Sequence, residues 1–214
     1  MKCRRAVIGL LLAAIAADGS ACARLPVTTR VMRDDARALV ALQREVSPPG
    51  YAHPAQISAS DLSALLRGLS LREQARLPVR WFADERPPTP VFRSDEVLEL
   101  AAFLSDALRA AGPDERIAFE LRAPGANPRY DRDVTAGWIA VRGGLFHIGI
   151  EYFHSQQPAT LTSPYDYNYP TPRSAPGSYV LYFEPGRFWV MDGALQRRAV
   201  EFRPFLQSVS GGRP

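Results

Sequence analysis

The stretch "AGWIAVRGGLFHIGIEYF", residues 136–153, decides the reading of the fold. Two runs of alternating apolar residues flank Gly143-Gly144, and a two-residue type I′ turn needs positive φ at both central positions, which glycine adopts without a Cβ clash. That turn predicts a hairpin with Val141 opposite Phe146, Ile139 opposite Ile148 and Gly137 opposite Ile150. On the other face the same register sets Ala140 against His147 and Trp138 over Gly149.

The pattern extends both ways from this hairpin. In "RIAFELR" (116–122), Ile117, Phe119 and Leu121 share one side and the polar residues the other, as in a strand. The run "SYVLYFEPGRFWVMDGALQRRAVEFRPF" (178–205) supplies two or three more strands, with turns at Pro185-Gly186 and Asp192-Gly193. Upstream, residues 94–113 predict a helix: Ser94 is a capping residue, Asp95 and Glu96 sit in the first turn, and Val97, Leu100, Leu104 and Leu108 form one stripe. Residues 58–69 predict a shorter helix capped by Ser60, and 34–46 a third on propensity. "SPPGYAHP" (47–54) and "ADERPPTP" (83–90) interrupt the chain. The expected fold is α+β: short N-terminal helices and one long amphipathic helix packed on a C-terminal antiparallel meander of five or six strands. The expected organisation is a leader over 1–23, a linker arm over 24–33, and one domain over 34–210 with a loop inserted at 155–178.

The leader has a basic start, "MKCRR", then the 12-residue apolar block "AVIGLLLAAIAA", then "DGSACA". A membrane-crossing helix needs about 20 apolar residues, so this is an export signal and not an anchor helix. "GSAC" (19–22) resembles the lipobox of bacterial lipoproteins, with Gly19 where that family carries a larger aliphatic residue. The resemblance implies lipid attachment at Cys22 and, with Ala23 beside the lipid, the periplasmic face of the outer membrane of a Gram-negative cell. Ala21-Cys22-Ala23 also reads as an A-x-A cleavage site that would release a soluble periplasmic protein beginning at Arg24. Cys3 leaves with the leader, so Cys22 has no disulfide mate.

The chain carries 26 basic and 22 acidic residues. Loss of Lys2, Arg4, Arg5 and Asp18 with the leader brings these to 23 and 21, a near balance with no clustered basic element, which argues against nucleic acid. Of the three histidines, His53 lies in a proline-flanked loop, His147 in the hairpin and His154 at its end. His147 and Glu151 fall roughly 13 Å apart along a strand, too far to share a metal, and no cofactor or metal is expected. Asp131 and Asp133 form a D-x-D pair without the remaining calcium ligands and read as a solvated turn.

The segment 155–178 carries "SPYDYNYPTP", where Tyr165, Tyr167 and Tyr169 project to one side if the chain is extended. With Trp138 and His147 these tyrosines are the candidate binding residues, and no catalytic residue is assigned. The expected function is a non-enzymatic binding or scaffolding component of the cell envelope, with an envelope protein or glycan as partner. The alternatives are a periplasmic hydrolase using His147 with Glu151 or another acid, and a carbohydrate-binding module using the tyrosines.

Overall fold

The structure is a computed structural model that describes residues 26–73, 87–158 and 179–211. Ten strands and three α-helices are present among them: β1 (Val27–Asp34), β2 (Ala38–Arg44), α1 (Ala59–Arg67), β3 (Leu69–Glu73), β4 (Thr89–Pro90), α2 (Ser94–Ala110), β5 (Glu115–Pro124), β6 (Asp131–Arg142), β7 (Leu145–Pro158), β8 (Tyr179–Phe183), β9 (Trp189–Asp192), β10 (Arg197–Glu201) and α3 (Phe202–Ser210).

The strands form a seven-stranded antiparallel sheet in the order β1-β2-β5-β6-β7-β10-β9 and a three-stranded sheet in the order β4-β3-β8. This corrects the expected α+β arrangement. The protein is mostly β, its helices are short, and its main sheet is not a five- or six-stranded meander. Three physical reasons account for the difference. The run 34–46, expected as helix, is strand: Ala38, Leu39, Val40, Ala41 and Leu42 are all at most 2 % exposed, a continuous apolar run buried on both faces between β1 and β5. Pairing over seven residues with β5 overrides the favourable helix propensity of alanine and leucine, which is only a local preference. From Val27 onward the stretch read as an arm is the edge strand β1, whose two bulges break its alternation. Finally β8 leaves the main sheet to pair with β3, so β10 takes the place beside β7.

The 136–153 hairpin has the register that its turn chemistry sets. Val141 faces Phe146, Ile139 faces Ile148, Gly137 faces Ile150, Ala140 faces His147 and Trp138 faces Gly149. Gly143 and Gly144 have φ of 54° and 83°, the left-handed region that the turn demands. A Cβ on Gly149 would lie 2.6 Å from Trp138 Nε1, so the indole occupies the space that a side chain there would need.

One face of the main sheet packs on α1, α2 and α3. Leu100, Leu104 and Leu108 of α2 meet Val40, Phe119, Ile139 and Phe146 in one fully buried cluster. The α1 helix starts one residue after Ser58, whose hydroxyl accepts the Asp61 N–H at 3.1 Å, so the cap is Ser58 and not Ser60. At α2 the cap is Arg93, whose backbone N–H donates to Glu96 Oε2 at 2.8 Å, with Ser94 inside the first turn.

The loop before α1 is fastened across the sheet by His53. Its Nε2 accepts the Val141 N–H at 3.0 Å, and its Nδ1 lies 2.8 Å from the Glu115 carbonyl. An imidazole that accepts at Nε2 and faces a carbonyl at Nδ1 is neutral with the proton on Nδ1. Burial also pushes the His53 pKa down, against the smaller raising effect of its backbone partners.

Candidate functional site

The end of the β6–β7 hairpin departs from regular pairing. Val134 faces Ser155 and Ala136 faces Tyr152, so Thr135 opposes both Phe153 and His154 in a β-bulge. His154 sits at φ 45°, a left-handed conformation that few non-glycine residues adopt, and its N–H donates to the buried Thr135 Oγ1 at 3.3 Å. The bulge turns the imidazole back along the strand, so that Nδ1 lies 2.9 Å from Asp133 Oδ2.

Arg93, at the start of α2, reaches the same oxygen with Nη2 at 2.8 Å and Glu96 Oε1 with Nη1 at 3.2 Å. The hydrogen bond from Arg93 to Asp133 raises the Arg93 pKa further, against a smaller opposing effect of burial. An ionised carboxylate only accepts, so His154 donates from Nδ1 and keeps Nε2 for other partners. The His154 side chain is 31 % exposed, whereas Asp133 is 9 % exposed and its Oδ1 is buried without a hydrogen-bond partner among the described residues. The cluster joins helix, bulge and strand through one carboxylate, with an open imidazole edge and an open guanidinium edge.

Beside it lies a cleft of about 550 Å³. It is lined by Ala36 and Arg37 of the β1–β2 turn, by Arg93, Asp95, Glu96 and Glu99 around the start of α2, and by residues 121–124, Pro128, Asp131 and Arg132 at the β5–β6 connection. The Arg37 and Asp95 side chains are 62 % and 68 % exposed and pair at 3.4 Å across the rim. Such an exposed pair contributes about 0–1 kcal/mol and rearranges readily.

Arg122 is held differently, with its side chain 8 % exposed. Its Nε donates to Glu120 at 2.7 Å, and its Nη1 to Asp34 Oδ1 at 3.0 Å and to the Asp35 carbonyl at 2.7 Å. Burial works against the charge, and Glu120 and Asp34 outweigh it, raising the Arg122 pKa. Pairs of guanidinium and carboxylate on rigid elements suit recognition of polar, charged groups.

The residues singled out from the sequence lie elsewhere. Trp138 is 7 % exposed on the opposite face of the sheet, with the guanidinium carbons of Arg116 and Arg197 at 5.2 and 5.0 Å from its ring centroid. His147 is 0 % exposed. Its Nε2 lies 3.3 Å from Asp192 Oδ2, but neither ring nitrogen makes a hydrogen bond among the described residues. Burial lowers the His147 pKa, Arg197 and Arg142 add to that, and Asp192 opposes it. Asp192 itself titrates below the usual carboxylate range: burial acts to raise it, and the Ala194 and Leu195 N–H groups with Arg142 prevail. In this fold neither Trp138 nor His147 offers a surface to a macromolecular partner.

Glu151 has Arg116 Nη2 at 3.4 Å from its carboxylate, so the acid named beside His147 is engaged with that guanidinium. Cys22, Tyr165, Tyr167 and Tyr169 lie outside the described residues. Of the charged residues quoted from the sequence, Asp133 and His154 come together, but Arg93 joins them from 40 positions upstream of Asp133. The available signal was histidine itself, which is several-fold enriched among non-glycine residues at positive φ.

No family model, no curated protein and no solved structure matches this chain.

Proposed function

We propose that the chain is a non-enzymatic exported protein of the cell envelope. It is held by a lipid on Cys22 at the periplasmic face of the outer membrane and acts as a binding or scaffolding component. The leader and the lone Cys22 support the address, since several acyl chains on one residue bury enough apolar carbon for durable anchoring.

The observation that carries the binding half is the roughly 550 Å³ cleft with paired guanidinium and carboxylate groups at its rim, within the 300–1,000 Å³ range common to ligand sites. Binding is favoured over hydrolysis driven by His147 because that ring is wholly enclosed, while His53 is committed to the backbone and only His154 keeps an open ring nitrogen, Nε2. His154 spends its Nδ1 on Asp133. A photo-reactive side chain at Asp95, on the cleft rim, is expected to cross-link an envelope component in intact cells. The Arg37→Ala/Arg93→Ala double variant is expected to abolish that cross-link. An equal yield from the double variant, or an adduct formed only with cytosolic proteins, overturns the proposal.

A further inference from the structure

We infer that the cleft takes a zwitterionic, peptide-like ligand, with its carboxylate on Arg122 and its ammonium on Asp131. This deepens the binding reading and rests on it.

Arg122 is the fixed element. Its side chain is more than nine-tenths buried and lines the cleft, and its Nε and Nη1 are fully occupied by Glu120, Asp34 and the Asp35 carbonyl. Its Nη2 makes no hydrogen bond among the described residues. A guanidinium clamped on one side with donors left over on another is preorganised for a carboxylate oxygen, because its rotamer is already locked before any ligand arrives. Asp131 is the counterpart. It also lines the cleft, and its carboxylate has neither an ion pair nor a side-chain hydrogen bond among the described residues. The other acids of the rim are engaged: Asp95 and Glu99 with Arg37, and Glu96 with Arg93.

The balance of charge selects the ligand class. Four arginines face four carboxylates around the cleft, so a dianion such as phosphate meets Asp95, Glu99 and Asp131 as well as the guanidinium groups. A ligand that brings one carboxylate and one ammonium matches the open Nη2 of Arg122 and the carboxylate of Asp131, and introduces no net charge. Leu121, Ala123 and Pro124 supply apolar lining for the aliphatic part between its two ends. Arg37, exposed at the rim, is able to swing from Asp95 onto the ligand carboxylate as a second donor.

The test is calorimetric titration of the full-length chain in detergent with alanine, dialanine, trialanine and tetraalanine. Each is presented as the free zwitterion, the N-acetyl form and the C-terminal amide, with inorganic phosphate as a further probe. At one of these lengths the free form is expected to bind about tenfold more tightly than either blocked form, the scale of one lost charge-assisted pair. Asp131→Asn is expected to erase the advantage of the free form over the acetylated one while leaving the acetylated affinity unchanged. Arg122→Gln is expected to weaken every carboxylate-bearing form, with thermal melting used to verify that the variant folds.

Equal affinity for free and blocked forms overturns the inference. So does phosphate binding as tightly as the best peptide, or no binding of any peptide by the folded protein. Those results leave the lipid anchor and the cross-linked partner standing. Loss of the cross-link with peptide affinity retained instead removes the envelope partner and keeps the ligand.

Discussion

Replacement of His53 by alanine tests how the loop before α1 is held. The imidazole bridges two buried backbone groups, the Val141 N–H at 3.0 Å and the Glu115 carbonyl at 2.8 Å, and it stacks on Tyr51 with ring centroids 5.4 Å apart. Truncation leaves one donor and one acceptor unpaired beside β5 and β6, each costing about 1–3 kcal/mol, so a loss of roughly 2–6 kcal/mol is expected.

The pH dependence gives a second reading from the same residue. Burial lowers the pKa of both His53 and His147, so protons bind more tightly to the unfolded chain, where a histidine titrates near 6.5. The stability that depends on their neutral forms is complete above about pH 6.5 and is lost as the pH falls from there toward the depressed folded values. Between pH 7.5 and 5.5 each histidine contributes a loss on the order of 1 kcal/mol at most, and the two losses add. Urea denaturation at the two pH values measures both effects. The His53→Ala variant should be less stable at pH 7.5 and should show about half of the wild-type pH dependence. A variant within about 0.5 kcal/mol of wild type, or a wild type whose stability is flat or rises on acidification, refutes the reasoning.

Gly149→Ala places a Cβ 2.6 Å from Trp138 Nε1 and should destabilise by about 1–3 kcal/mol, with a shifted tryptophan emission maximum as the specific sign of a displaced indole. Ser105→Ala removes the hydroxyl that donates to the Ile57 carbonyl at 2.7 Å, and thermal melting should register a loss of about 1 kcal/mol. Leu104→Ala opens a cavity at a fully buried position of α2 and should cost about 2–5 kcal/mol in the same assay. Cys22→Ser should move the protein from the membrane to the soluble fraction of lysed cells, read by immunoblot.

The hairpin at 136–153 was legible because two independent signals coincide, the glycine pair that fixes the turn and the period-2 alternation that fixes the face. The β2 strand was not, because "ALVALQR" is buried on both sides and a run without alternation cannot be told from a buried helix by periodicity. The β1 strand escaped for another reason. Its bulges shift register between Thr28 and Arg30 and again between Val31 and Arg33, which scrambles the outward face. The α3 helix was hidden by Pro204, a residue that reads as a breaker but is tolerated in a first turn.

The Asp133–His154–Arg93 cluster depends on a bulge that no glycine announces and on a helix start 40 residues before Asp133. Neither is a local property of the sequence. The cleft likewise draws on the β1–β2 turn, the start of α2 and the β5–β6 connection, three places that only the strand order brings together.

The envelope address is tested most directly by mass spectrometry of the N-terminal peptide of the native protein. Lipidation predicts a peptide that begins at Cys22 and carries a diacylglyceryl group on Sγ. A peptide that begins at Arg24, or one that retains Met1, contradicts the tether.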